Sequence, residues 1–482
     1  MGTGASAQPG PDLTLTGVMT RADHEHYREV PFKVPAGTTR LTVEFAYTGK
    51  DQKSVIDLGV RDPVRYRGWS GGNKQSFTIS EAEATPSYLP GPLPAGVWRL
   101  VLGVPNLRPG AEARYTAKVS FEHGTSFAGF SATPIRPGPG WYRGDLHMHT
   151  AHSDGSCLSM RGVHVPCPVF RALETAHARG LDFISVTDHN ATAQNEALRE
   201  LAPYYDDLLL IPGREITTFY GHANVWGPTA PLDFQLGSTR APTLAAIQTE
   251  VEKAHGLISI NHPGQPSGEA CMGCGWTVKD TDYSRIQAIE VVNGGALRLP
   301  GGAESVISGI PFWEARLNAG FRITAVGGSD SHDADLAKVA SAGPGYPTTV
   351  VHAQALSQPA ILVALRAGHV FVDITGSRDK RLEVTAASGG QTAEMGDALA
   401  APVGAPIKVS VHVTHAAGAS LSLAGDGPKP KLADATLNGD DETRGFEVSG
   451  DGKRHWLRVD VRGPDGRLWL LGNPIYLNAP LR

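Results

Sequence analysis

The feature that most constrains this chain is a rhythm in its middle half. Short apolar runs (Asp182–Val186, Leu208–Ile211, Leu257–Ile260, Ile286–Val292, Arg322–Val326, Thr348–Val351) alternate with stretches of helical period (Pro168–Arg179, Leu244–Ala254, Pro311–Ala319, Pro359–Ala367). Such short apolar runs have the length of buried strands, and strand and helix in alternation predict a parallel α/β sheet or barrel. The C-terminal ends of such strands are where barrel enzymes build their sites.

The rhythm is absent on either side. From about Asp12 to Glu122, segments such as Leu41–Phe45 and Trp98–Leu102 lie between turn clusters rich in Gly and Pro, and no helical period competes with them. Strand patterns return in Ile407–Val413, Ala419–Ala424, Trp456–Val461 and Leu468–Leu471. The chain therefore reads as multidomain α/β plus all-β: a β-sandwich-like domain over 1–133, a linker over 134–140 (Pro-Ile-Arg-Pro-Gly-Pro-Gly), an α/β domain over 141–379 and a second β-sandwich-like domain over 380–482. The length agrees, since 482 residues at about 150 per domain make roughly three domains.

Charge and hydropathy exclude some functions. The 43 basic and 48 acidic side chains leave a net charge of -5, so no domain-wide basic surface exists to neutralise a phosphate backbone, and nucleic acid is not expected as a partner. Apolar runs such as Leu208–Pro212 fall far short of the ~18 to 20 residues a membrane span needs, so a soluble protein is expected.

Four cysteines, Cys157, Cys167, Cys271 and Cys274, all lie within the α/β half of the chain. They are compatible with two disulfides in any of three connectivities, with four buried thiols in a cytosolic protein, with a zinc site or with a Cys271/Cys274 redox pair. Ala5-Ser6-Ala7 followed by Gln8-Pro9-Gly10 has the form of a signal-peptide cleavage site without its apolar part, which favours a periplasmic or secreted protein with disulfides that staple loops.

The chemistry is concentrated where the middle strands end. Asp145-Leu146-His147-Met148-His149 places two imidazoles on one side of an extended chain. With 18 histidines in the chain, about 0.7 His-x-His pairs arise by chance, so the spacing alone says little. A second pair, His24-Glu25-His26, has no companions downstream and reads as surface histidine. The first has many: Asp154, Thr187-Asp188-His189, Glu215, Gly221-His222, Asn261-His262-Pro263 and Gly327-Gly328-Ser329-Asp330-Ser331-His332. Imidazoles and carboxylates in register with successive strand ends are the ligands that divalent transition metals take.

This order resembles the polymerase and histidinol phosphatase (PHP) superfamily over about Trp141 to Asp373. The three-part layout also looks like its CehA/McbA metallohydrolase branch, which includes a carbaryl hydrolase. The resemblance implies a distorted (βα)7 PHP barrel flanked by N- and C-terminal β-sandwich-like domains. It implies two or three divalent ions (Zn, Mn or Fe), trinuclear in the fullest form. His147, His149, Glu215 and Asp330 would hold one ion, Glu215 would bridge to a second held by His222 and His262, and Asp154, His189 and His332 would hold the third. His152 has no counterpart and is left beside the site, facing substrate, or as an ordinary loop histidine.

Ions that share a carboxylate lower the pKa of a bound water and neutralise charge on substrate oxygens, so no Ser, Cys or Lys nucleophile is needed. The expected activity is hydrolysis of small organic phosphomono- or diesters by hydroxide held between metals. Arg143 and Arg214 are candidates to clamp the phosphate, and Asp188, with Asn190, to orient the imidazoles. A carbamate or carboxylic ester is the rival substrate, with Trp226, Trp276 and Tyr346 as an apolar pocket. A non-catalytic binding or adhesion module is the remaining alternative.

Overall fold

The computed structural model describes residues 10–124, 129–269, 271, 273–335, 343–427 and 435–479. The chain divides into two compact units, Met1–Ala128 and Gly129–Arg482. The Ala5-Ser6-Ala7 motif lies outside the described residues. Among those described, no helix is long and apolar enough to cross a membrane.

The first unit holds two four-stranded antiparallel sheets. One runs in the order Leu13–Met19, Ala113–His123, Thr38–Tyr47, Ser76–Ser80; the other Tyr27–Val34, Gly96–Asn106, Val55–Arg61, Tyr66–Gly71. Alternate residues of both sheets, among them Leu41, Val43, Phe45, Leu58, Val60, Trp98, Leu100 and Leu102, enter one apolar core, as period-two side-chain placement requires. Here His24 and His26 join none of the groups of potential metal ligands among the described residues.

In the second unit the strands that carry the site are β1 (Arg136–Asp145), β2 (Phe183–Ile184), β3 (Leu209–Leu210), β4 (Gly213–Thr218), β5 (Gly221–Trp226), β6 (Leu257–Ile260), β7 (Ala288–Asn293), β8 (Thr324–Gly328), β9 (Thr348–Leu356) and β10 (Val370–Asp373). β3, β2 and β1 are parallel, and β9 joins β1 antiparallel. The other site-bearing sheet has the order β4-β5-β6-β7-β8, antiparallel at β4/β5 and β5/β6 and parallel from β6 to β8. Two isolated parallel bridges link strand ends of the two sheets, Met148 to Ser331 and His189 to Glu215. One apolar core draws on both, with Tyr142, Phe183, Leu209, Trp226, Leu257, Ala288, Val326 and Val351 all buried in it.

Helices occur at the four expected places, α1 (Val169–Arg179), α3 (Leu244–Lys253), α4 (Ile310–Asn318) and α5 (Gln358–Ala367), with α2 (Gln194–Leu201) in addition. Capping sets several of the limits. Thr243 and Ser357 accept the N–H groups of Ala246 and Ala360 at the starts of α3 and α5, and Gly180 and Gly368 end α1 and α5 in the left-handed region.

Two domain boundaries differ from expectation. Residues 136–140, expected as linker, form the first half of β1 and pair with β9 as far as Arg136–Leu356. Pro137 and Pro139 are tolerated because a proline lacks only the N–H; its carbonyl still accepts. The C-terminal strands are not confined to a sheet of their own. Leu468–Gly472 pairs with β10 and His455–Arg462 pairs with Leu468–Gly472, so both continue the sheet that contains β1. A separate four-stranded sheet (Gln391–Glu394, Arg381–Ser388, Pro406–Thr414, Asp441–Ser449) completes this region.

Candidate metal centre

The nine predicted ligands converge. His147 and His149 follow β1, His189 follows β2, Glu215 lies in β4, His222 begins β5, His262 follows β6, and Asp330 and His332 follow β8. Because β5 runs antiparallel to its neighbours, its first residues reach the end at which β4 and β6 finish.

Glu215 is the hub. It is fully buried, and its two oxygens face different imidazoles. Oε2 lies 3.4 Å from His147 Nε2, 3.4 Å from His149 Nε2 and 3.0 Å from His189 Nδ1. Oε1 lies 3.3 Å from His222 Nδ1 and 3.4 Å from His262 Nε2, and it accepts a 2.8 Å hydrogen bond from Asn261. Asp330 Oδ1 sits 3.2 Å from His147 Nε2 and 3.1 Å from His149 Nε2. Asp154 Oδ1 sits 3.3 Å from His332 Nε2 and 3.6 Å from His189 Nε2.

The donor atoms fall into three overlapping sets, each compact enough for one ion: His149, Asp154, His189 and His332; His147, Glu215 and His262; and His147, His149 and Asp330. The partition differs in detail from the expected one, since His149 also groups with Asp154, His189 and His332. His222 joins the cluster through Glu215.

Three imidazoles have their tautomer fixed from behind. His147 Nδ1 is 2.9 Å from Glu290 Oε1, His262 Nδ1 is 3.1 Å from the Cys274 carbonyl, and His332 Nδ1 is 2.9 Å from the Asp330 carbonyl. Ionised carboxylates and carbonyls only accept, so the proton belongs on Nδ1 and the Nε2 lone pair faces the cluster. Glu290 also accepts the His262 N–H at 2.8 Å and Asn293 Nδ2–H at 3.1 Å, and Asn293 donates onward to Asp330 Oδ2 at 3.2 Å. Neither Glu290 nor Asn293 is among the sequence-predicted residues. The signal in the sequence is a lone carboxylate inside the apolar run Ile286–Val292, a placement that costs free energy unless it is partnered.

The charges confirm the tension. Burial alone would raise the Glu215 carboxyl, yet His147, His189 and His222 hold it well below the usual range. Burial would lower His147, but Asp330, Glu290 and Glu215 push it well above its ordinary value. Burial lowers His149 despite its carboxylate neighbours. The hydrogen bond from His332 holds Asp154 down to about 2. Burial opposes protonation of His332, but Asp154 and Asp330 push it up to about 9. Even so, His147 Nε2, Glu215 Oε2 and His222 Nε2 are buried without a hydrogen-bond partner. Buried polar atoms are rarely left so. Divalent ions fit this donor set, because they would complete these orphaned atoms. Two of the surrounding residues, His262 (φ 28°) and Asp330 (φ 51°), also hold left-handed backbone, which is costly outside glycine and recurs at functional sites.

The other predicted site residues are placed elsewhere. Asp188 is fully buried with its carboxylate taken up by Thr150 N–H and Oγ1–H (both 2.7 Å) and Ser153 Oγ–H (2.6 Å), so it shapes the loop carrying His149 and Asp154. Arg143 lies four residues, about 13 Å, before His147 on β1; it pairs with Asp373 and donates to the Lys380 carbonyl. Arg214 neighbours Glu215 on β4 and so points to the opposite face, where it is buried and donates to the Pro228 carbonyl. Burial lowers its pKa to about 10. Neither arginine reaches the cluster. Asn190 accepts from and donates to the Thr217 backbone, and His152 is exposed. Trp226 and Trp276 are core residues, and Tyr346 stacks under Arg179. The exposed aromatics here are Phe219 and Tyr220, 85% and 50% accessible, at the tip of the β4–β5 hairpin.

The cysteines pair as Cys157–Cys167 and Cys271–Cys274. Both bridges close loops that contact candidate ligands: Ser156 N–H donates to the His332 carbonyl at 2.7 Å, and the Cys274 carbonyl fixes His262.

No protein-family model and no curated protein matches the chain. Among solved structures the chain is similar to one from Bifidobacterium adolescentis that carries the provisional name of a metal-dependent phosphoesterase. The likeness covers 46% of this chain and 94% of that one, at 15% sequence identity and a TM-score of 0.30.

Proposed function

We propose that the protein is a metal-dependent hydrolase of small ester substrates, of the PHP type. In this reading the seven strands β4 to β8, β1 and β2 form the distorted barrel, closed at the Met148–Ser331 and His189–Glu215 bridges. The observation that carries the reading is Glu215, whose two buried oxygens face separate sets of imidazoles. Glu215 and these imidazoles would together hold the divalent ions. Bound there, divalent Zn, Mn or Fe would supply a water acidified towards neutrality and charge to offset that of the substrate.

The chain's own residues do the rest. Glu290, the Cys274 carbonyl and the Asp330 carbonyl keep His147, His262 and His332 in the tautomer that presents Nε2. Asp188 holds the 149–154 turn through Thr150 and Ser153. Asp154 and His332 are partly exposed and stand nearest solvent, so the substrate enters beside them.

Phosphomono- or diesters are the leading substrate class, because divalent ions held by these residues would supply the positive charge that a phosphoryl group needs. Carbamate or carboxylic esters are a second reading, favoured by the exposed Phe219 and Tyr220 on the hairpin that carries Glu215 and His222 and by Arg143 and Arg214 pointing away. Nitrophenyl phosphates and naphthyl carbamate, assayed side by side with Zn or Mn, separate them. Release from the phosphates is expected; brisk carbamate cleavage with none from any phosphate would sink the phosphoester reading. A periplasmic or secreted location accords with the two disulfides.

A further inference from the structure

All nine candidate ligands belong to the second unit, and the first carries a feature of its own. In the sheet Tyr27–Val34, Gly96–Asn106, Val55–Arg61, Tyr66–Gly71, the side chains of Leu58, Val60, Leu100 and Leu102 enter the core. Period two then sends Tyr27, Asp57, Gly59, Gly103 and Trp69 to the outer face. The register brings them together: Tyr27 and Asp57 both pair with Gly103, and Gly59 pairs with Trp69. Two glycines make a shelf there. A Cβ on Gly59 would stand 2.5 Å from Trp69 Cε3, and one on Gly103 would stand 2.7 Å from Trp69 Cη2 and 3.3 Å from Tyr27 Cε1. The indole therefore lies directly on the backbone of two strands, and the exposure it keeps is on its outward face. Tyr27 stands edge-on beside it, with ring centroids 5.9 Å apart, and is 76% exposed.

Beside the shelf a donor and an acceptor are left over. Six of the chain's eight tryptophans bond their Nε1–H to an oxygen. Trp69 Nε1 has no such partner among the described residues. Asp57 is half-buried and makes no hydrogen bond or ion pair among them either, and burial alone pushes its carboxyl up. Glu29, on the same face, is by contrast paired with Arg61 and Arg99, each at 3.3 Å. Trp69 Nε1 and Asp57 Oδ1 both lie 3.8 Å from the point where a Gly71 side chain would begin. Gly71 has φ +58°, which disfavours any side chain there, so the gap stays open. An oxygen in that gap reaches both atoms at ordinary bond lengths of about 2.7–3.0 Å. A hydroxyl is the group that accepts from one and donates to the other.

The chemistry of the face selects its ligand. The open indole takes an apolar surface whose C–H groups meet the negative face of the ring, and the unpaired carboxylate repels an anion. A quaternary ammonium needs aromatic faces around it, whereas Tyr27 is the one ring in contact with Trp69 among the described residues and meets it by its edge. A pyranose ring combines a C–H face with hydroxyls at its rim. We propose that this face binds a pyranose unit of a neutral glycan, stacked on Trp69 against Tyr27, with hydroxyls bonded to Asp57 and to Trp69 Nε1–H. The first unit is in this sense a binding module, and its action does not depend on the hydrolase reading.

The test is calorimetric titration of the full chain with the hexasaccharides of β-1,4-glucose, β-1,4-xylose and β-1,4-N-acetylglucosamine, and separately with choline. At least one hexasaccharide should bind saturably. Trp69→Ala and Asp57→Ala should each weaken that binding about tenfold or more, with ester hydrolysis unchanged. Tyr27→Ala alters a side chain that is 76% exposed and leaves the core intact, so it keeps the test open if Trp69→Ala fails to fold; it too should weaken binding. Three results overturn the proposal: no binding of any hexasaccharide, binding that is the same in Tyr27→Ala and Asp57→Ala, or binding of choline alone. A parent chain without ester hydrolysis bears only on the hydrolase.

Discussion

Glu290 shows how one side chain controls another. Its carboxylate receives His147 Nδ1–H, the backbone N–H of His262 and Asn293, so it sets the direction of the His147 imidazole and holds the backbone that carries His262. Glu290→Gln keeps the volume but removes the charge, and the amide can present its NH₂ to His147 and reverse the tautomer. Metal affinity at the cluster should fall about 10- to 100-fold, read by competition with a chelating dye, while the fold by circular dichroism stays unchanged. An unaltered affinity would remove Glu290 from the account. His332 gives a pH prediction. In the metal-free chain Asp154 and Asp330 outweigh burial and push it up to about 9, so it carries a proton at neutral pH. An ion must displace that proton. Metal binding at pH 7 should therefore release protons into a weakly buffered solution, and the release should diminish as the pH is raised through about 9. Release that is the same in His332→Ala would contradict the assignment.

Strand alternation decided which residues the sequence could reveal. The candidate ligands after β2, β6 and β8 were legible because each follows an apolar run that ends in a polar motif, whereas His147 and His149 after β1 were legible from their spacing and the company they keep downstream. The β4–β5 hairpin was not legible as strands, although Glu215 and His222 were, because Arg214, Glu215, Thr217 and Thr218 break the apolar pattern, and Glu215 finds its partners on other elements. Arg214 beside Glu215 is near in sequence yet on the opposite face, which is why proximity along the chain misled. The substitution Arg214→Met should therefore leave KM for a phosphoester within about twofold, since nothing places its guanidinium at the cluster; a large rise in KM would restore the clamp. The loop closed by Cys271–Cys274 makes the converse case. Gly273 has φ +79°, and an added Cβ would meet the Thr218 carbonyl oxygen at 2.2 Å. Gly273→Ala should cost at least about 1 kcal/mol through the backbone alone and displace the Cys274 carbonyl from His262. Hydrolysis should fall more than thermal stability does, and equal activity would show that the loop does not position His262.

At the scale of the molecule, local patterns named the elements but not the partners of the C-terminal strands. Leu468–Gly472 reads as a strand from its own residues, yet that it pairs with β10 is settled by contacts about 100 residues apart in sequence. The expected boundary at 379/380 therefore cuts through a continuous sheet. A chain ending at residue 379 would expose the β10 edge and the apolar face that Leu470, Val459 and Val461 cover, and it should be insoluble. A chain beginning at Gly129 keeps every residue of the cluster and of its supporting cores, and it should retain both metal and hydrolysis. Loss of both there would assign the first unit a part in the site. The central claim, that Glu215 joins ions in one hydrolytic centre, is tested most directly by metal content. Elemental analysis of the wild-type chain and of Glu215→Ala, purified in parallel without chelator, should show at least two divalent ions per chain in the first and a loss of two or more in the second. A wild-type chain that is free of metal and hydrolyses its esters undiminished in chelator would contradict the account.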